Sequence, residues 1–288
     1  IVGANPRAEA PVLNSRIRKG WLAGGEVAMI GEPVDFTYPM EHIASGPDGL
    51  RGKGRERARA FLGEAEGAIV VLGQGALARE DGEAVLGQLM ALCEETGAKL
   101  LVLHTAAARA GMLDIGLVHE GGVAGALDGA EVVYNLGADE IDIAAGPFVI
   151  YQGHHGDRGA HRADLILPGA AYPEQPGLFV NTEGRVQMAF RAGFPPGDAR
   201  EDWAILRAVS GRMGTPLPFD NLDQLRRTLF EAHPHLAELD RVAEPEWRPV
   251  PAGEMGDAPF RSTVRDHYLS NPVARASETM AELSRLAC

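Results

Sequence analysis

"FVIYQGHHGDRGAHRADLILPG", residues 148–169, sets two short apolar runs, "FVIYQ" (148–152) and "DLILPG" (164–169), on either side of a polar loop. Both runs are continuous rather than alternating, as expected of strands buried on both faces of a parallel sheet. Four more such runs stand upstream: "VAMI" (27–30), "AIVVLG" (68–73), "KLLVLH" (99–104) and "EVVYNLG" (131–137). Helical patterns separate them. Over 78–97, Val85, Leu86, Leu89, Met90, Leu92 and Cys93 form one helical stripe, with Glu80 and Asp81 favouring its N-terminus and Gly97 placed to terminate it. Ala10, Leu13, Ile17 and Trp21 give a similar stripe, with Pro11 tolerable in the first turn. This alternation predicts right-handed βαβ units, hence a doubly wound, mostly parallel α/β sheet in a Rossmann-like domain over residues 1–175.

Beyond residue 175 the pattern changes. "GLFVNTEGRVQMAF" (177–190) holds two β-type runs around "NTEG" and reads as a hairpin or a tight bend. A helix should follow, with Asp198 as N-cap, Glu201 three residues on, Trp203, Leu206, Val209 and Met213 inward, and Gly214 at its end. A second should start at Asn221, with Gln224 at the box position and Leu222, Leu225 and Leu229 inward. These elements, residues 176–243, are expected to pack on the first domain. Residues 244–288 begin proline-rich ("EPEWRPVPAGEMGDAPF", 244–260), an extended strap across a surface, and their last stretch closes with one short helix.

Composition excludes several classes. A net charge of -13 argues against a broad nucleic-acid surface. No apolar run approaches the roughly 20 residues that span a bilayer, so an attachment to a membrane would run through partners. The cysteines are two: Cys93 on the apolar stripe, expected to be a small buried hydrophobe, and Cys288 at the end, expected to be mobile. That usage fits a reducing compartment and leaves too few thiolates for an iron–sulfur cluster. The opening "IVGANPR" enters at once into what reads as the end of a strand, without an initiator Met or signal-like segment, as a piece of a longer polypeptide would.

The loop between the two opening runs gathers His154, His155, Asp157 and His161 within eight positions. A metal ranks last among its readings. Zinc needs three or four converging ligands, adjacent histidines diverge, and Arg158 and Arg162 repel a cation. The loop does lie at the carboxyl end of a strand, where open α/β sheets bind ligands. Its histidine and arginine donors suit an anion such as a pyrophosphate. On residues alone, that reading and a connecting loop merely solvated by its polarity stand level. "GQGALARE" (73–80) also follows a strand and opens a helix, but lacks the third glycine of a dinucleotide fingerprint and the Lys-Ser/Thr of a P-loop. "NTEGR" (181–185) pairs a carboxylate with a guanidinium, which turn chemistry explains as readily as ligand binding. No nucleophilic triad spacing stands out, so no catalytic residue is nominated.

The stretch 151–187 resembles the signature region of the molybdopterin oxidoreductase family, in which an A-D-apolar-apolar-L-P strand leads through a glutamate to an N-x-E-G-R-x-Q bend. Within it, "GANPRAEAPVLNSRIRK" (3–19), "YQGHHGD" (151–157), "VNTEGR" (180–185), "PPGDAREDW" (195–203) and "NPVARASETMA" (271–281) resemble the C-terminal half of the branch formed by the large iron–sulfur subunits of respiratory complex I, the NADH:quinone oxidoreductase. The resemblance implies a retained fold that has lost molybdenum and its chemistry. It casts Asn5, His154, Asn181, Glu183 and Arg185 as relics of a cofactor grip that now pack and hydrogen-bond. It further implies a scaffold role beside iron–sulfur clusters held in an N-terminal part, with other subunits of the peripheral arm as partners. The implied location is peripheral, on the cytoplasmic face of a bacterial inner membrane. The alternative is the C-terminal part of an active, formate-dehydrogenase-like molybdopterin enzyme.

Overall fold

The structure is a computed structural model that describes residues 1–107, 109–244, 248–264 and 266–287; the expectation for Cys288 lies outside them, as do residues 245–247 of the strap. Two compact units form, Ile1–Ala107 with Glu244–Ser270 and Ala108–Ala243 with Asn271–Ala287.

In the first unit α1 (Pro6–Glu9) and α2 (Pro11–Leu22) precede β1 (Ala28–Ile30) and β2 (Glu41–Ala44); α3 (Gly52–Gly63), β3 (Ile69–Leu72), α4 (Gln74–Leu77), α5 (Gly82–Thr96) and β4 (Lys99–Val102) follow. β1 pairs in parallel with β2, and β3 with β4. Val2 bridges Ile30 on one side and Leu72 on the other, so the opening residues join the two pairs. Val70, Val71 and Leu72 are all buried, as a continuous apolar run in a covered sheet requires. Val85, Leu89, Leu92 and Cys93 of α5 enter the same core, and Gly97 ends the helix in the left-handed conformation at φ 70°. The helix starts at Gly82 with Asp81 as its N-cap, and the Asp81 carboxylate is engaged by Arg79 and the Gly256 N–H rather than by the helix itself.

Proline-rich residues 248–260 do more than cross a surface. Phe260 is 1% exposed within the core of Val2, Ile30, Leu72 and Val85. Its N–H donates to Ser45 O (2.9 Å), and its carbonyl accepts from Glu32 N (3.1 Å). The strap thereby completes a core that the first 107 residues leave open. Composition marks such a segment as extended but does not say where the Phe260 ring goes.

The second unit opens with α6 (Arg109–Asp114) and α7 (Gly122–Leu127). β5 (Val132–Leu136), β6 (Phe148–Gly153) and β7 (Leu165–Pro168) form a three-stranded parallel sheet in that order, with α8 (Arg158–Arg162) between the last two. β8 (Gly177–Val180) and β9 (Val186–Ala189) make the antiparallel hairpin, in register from Gly177–Ala189 to Val180–Val186. Val180, Val186 and Leu236 form a small core with Leu229 and Phe230 of α10 (Leu222–Ala232) against it. The three-stranded sheet thus belongs with the hairpin and helices of residues 176–243, in a unit apart from residues 1–107, rather than in one domain over residues 1–175. Strand patterns show that a parallel sheet exists, not which strands share it.

α9 spans Asp202–Arg212, starting beyond the expected cap at Asp198, and Met213 is 75% exposed rather than inward. Asn221 caps α10 as expected, accepting from Gln224 N (2.9 Å), while Gln224 Oε1 accepts from Asp220 N (2.7 Å). The tail holds two helices, α11 (Pro272–Arg275) and α12 (Glu278–Ala287), in place of one. The architecture is α/β with mostly parallel sheets, followed by a hairpin, helices and a tail.

Candidate functional site

β6 delivers the histidine loop. Tyr151 and Gln152, buried on opposite faces of the strand, fix its upper end. The Tyr151 hydroxyl donates to Asp139 Oδ1 and lies 3.0 Å from His155 O, and burial, then Asp139, pushes its phenol up. Gln152 donates to Asp202 Oδ1 (2.7 Å) and accepts from Tyr134 OH (2.5 Å). Gln175 closes the set, donating to Asp202 Oδ2 (2.7 Å) and accepting from Asp202 N (3.0 Å). Two amides therefore seize the carboxylate at residue 202, which places the first turn of α9 there.

Within the loop, His154 and His155 meet edge to face with Nδ1 atoms 2.5 Å apart, one ring donating to the other. Partial desolvation, then the His155 ring, pulls His154 below the ordinary imidazole range. Asp157 caps α8 by accepting from Arg158 N (2.8 Å), and its other oxygen is paired with Arg275. The loop's cations are spent on the protein itself. Arg158 reaches Asp142 (2.9 and 3.1 Å) and Glu140 O (3.2 Å). Arg162 gathers the carbonyls of Ile143, Ala144 and Pro147. His161 is exposed. Among the described residues no three His, Cys, Asp or Glu side chains are grouped as metal ligands.

Asn181, Glu183 and Arg185 come together in the bend between β8 and β9. Asn181 Oδ1 accepts from Glu183 N (3.1 Å) and Arg185 N (2.9 Å), and Arg185 Nε donates to Glu183 Oε1 (2.9 Å). Arg185 also donates to Asp240 O, and Gly184 supplies the left-handed φ of 84° that the turn needs. Arg185, then Asn181, holds the Glu183 carboxyl below the usual range. Among the described residues no hydrogen bond joins this bend to His154.

Asn5 belongs to the other unit. It precedes α1 without capping it through its side chain; its N–H donates to Glu9 Oε1 (2.8 Å), and its Oδ1 is buried with no hydrogen-bond partner. "GQGALARE" forms the β3–α4 turn, whose glycines permit main-chain contact. A Cβ on Gly75 would lie 1.9 Å from Arg261 O and 2.6 Å from Gly3 O.

Sequence reasoning missed a cation of the second unit that gathers several carboxylates. Arg275, from the tail, donates to Glu140 Oε1 (2.8 Å), pairs with Asp157, and lies 3.7 Å from Asp139 Oδ2. Its only early signal was its place in "NPVARASETMA", which says nothing of its partners.

The family described as "Molybdopterin oxidoreductase" matches residues 1–212, and a family formed by the C-terminal domain of an NADH-ubiquinone oxidoreductase subunit matches residues 237–283. The chain is 36% identical to the NADH-ubiquinone oxidoreductase 78 kDa subunit, mitochondrial, of Neurospora crassa, covering 99% of this chain and 41% of that protein. It is 35% identical, with the same shares covered, to NADH dehydrogenase [ubiquinone] iron-sulfur protein 1, mitochondrial, of Solanum tuberosum. The 78 kDa subunit of Candida albicans is 36% identical over 98% of this chain and 42% of its own length. The chain spans about two fifths of the length of these curated relatives. Matched from Ile1 through the parallel strands, the histidine loop, the hairpin bend and α9, the chain belongs to the molybdopterin oxidoreductase family.

Proposed function

We propose that this chain is the non-catalytic scaffold part of the large iron–sulfur subunit of complex I, the NADH:quinone oxidoreductase. In that role it supports electron transfer from NADH to quinone and assembly of the peripheral arm with the other subunits. One observation carries the reading: the match to the NADH-ubiquinone oxidoreductase C-terminal domain at residues 237–283 stands downstream of the oxidoreductase match at residues 1–212, in a chain 35–36% identical to complex I proteins over nearly its whole length. That pairing of domains does not favour the formate-dehydrogenase-like alternative.

The local geometry supports a scaffold. Main chain fills the turn at Gly75, Arg158 and Arg162 are committed to carboxylates and carbonyls, and Asn181, Glu183 and Arg185 satisfy one another. These residues do not fit a molybdenum–pterin group; Asn5 Oδ1 alone keeps an unmet buried acceptor. A [4Fe–4S] cluster takes four thiolates, and two cysteines cannot supply them, so the clusters belong to the part of the longer protein that the relatives possess beyond the matched stretch. No described helix is long and apolar enough to cross a membrane. The proposed place is peripheral, at the cytoplasmic face of a bacterial inner membrane.

Substitution inside the assembled complex tests the role. With His154→Ala or Arg185→Ala in the full-length subunit, NADH:quinone turnover per assembled complex should stay within about twofold of the parent. A loss of about a hundredfold or more with assembly intact would mean that the loops take part in the reaction.

A further inference from the structure

We infer that Arg275 is a latch between the C-terminal tail and the histidine loop, making tail docking and loop order a single equilibrium. The two segments stand far apart in sequence, with 118 positions separating Arg275 from Asp157 and 135 separating it from Glu140. Three carboxylates surround one guanidinium. Asp139 and Glu140 come from the β5–β6 connection, and Asp157 is the residue that starts α8. The Arg275 side chain is 21% exposed, and that of Asp139 only 2%. Three anions converge there only while a cation stands among them, because a buried carboxylate without its partner is strongly disfavoured.

The coupling passes through named atoms. Asp139 accepts from Tyr151 OH, which also lies 3.0 Å from His155 O. Asp157 accepts from Arg158 N and thereby sets the start of α8. Withdrawing Arg275 therefore loosens both ends of the 153–158 loop at once. On the tail's side, Asn271 Oδ1 caps α11 by accepting from Ala274 N (2.9 Å), which presents Arg275 from a fixed turn. Neither α11 nor α12 contains a fully buried residue, and Arg275 is the tail side chain that reaches the carboxylates of the 139–157 segment. An agent that captures the tail thus unlocks the loop, and whatever distorts the loop frees the tail.

Hydrogen–deuterium exchange on the full-length protein, read on peptides from 137–162 and from 271–287, tests the latch. Arg275→Gln should speed exchange in both sets by a common factor of about tenfold or more. Asp157→Asn combined with Arg275→Gln should add less than the sum of the two single effects. Should Arg275→Gln fail to fold, Glu140→Gln removes only the exposed partner and should raise both sets by a smaller, equal factor. Faster exchange in the tail with 137–162 unchanged, or no change in either set, would overturn the latch.

Discussion

His154 is the residue whose chemistry is most readily misread from sequence. Desolvation and its neighbour His155 favour its neutral form, so its folded pKa lies below the ordinary 6.5. The unfolded chain then binds the proton more tightly in the window beneath 6.5. Stability is complete above that pH and falls as the pH drops through the window. His154→Gln should flatten this part of a melting-temperature-against-pH profile; an unchanged slope would assign the dependence to other groups. His154→Ala should cost at most one hydrogen bond, about 1 kcal/mol in denaturant unfolding. Asn181→Ala removes the acceptor for two turn N–H groups and should cost about 1–2 kcal/mol. Gly75→Ala is a different kind of change. Its Cβ would need the space of the Arg261 and Gly3 carbonyls, so the strap must shift, and a loss of more than about 2 kcal/mol is expected. The histidines and the NTEGR residues were readable from sequence as polar loop chemistry, but their partners were not. A one-dimensional chain does not show that Arg185 reaches Asp240 or that Arg275 reaches Asp157.

At the level of elements, legibility followed apolar, β-rich composition. The six continuous apolar runs all appear as strands, although only β1 and most of β3 are buried on both faces, while β7 is largely exposed. β2, "EHIA", escaped notice since all four residues are only half-buried and two are polar. The start of α9 was misplaced because Asp198 has the side chain of a good cap, whereas the amides that hold Asp202 come from residues 152 and 175. The strap showed the same limit. Proline content marked it as extended, but Phe260 in the core makes it part of the fold. Phe260→Ala should therefore cost about 3–5 kcal/mol, measured by denaturant unfolding. A loss below about 1 kcal/mol would mean that the ring rests on the unit without filling it.

For the whole molecule, the α/β class and the family were legible from the order of motifs. The grouping of strands into two units was not, since pairing over long separations leaves no periodic trace. The proposed scaffold role is supported by loops that bind the protein's own groups. Elemental analysis of the intact full-length subunit, purified within its complex, tests this most directly. Iron at the level of its clusters, with molybdenum, tungsten and zinc at trace levels only, is the expected result. Stoichiometric molybdenum or tungsten would contradict the scaffold role and restore the reading of an active molybdopterin enzyme, and stoichiometric zinc would contradict the metal-free account of the histidine loop.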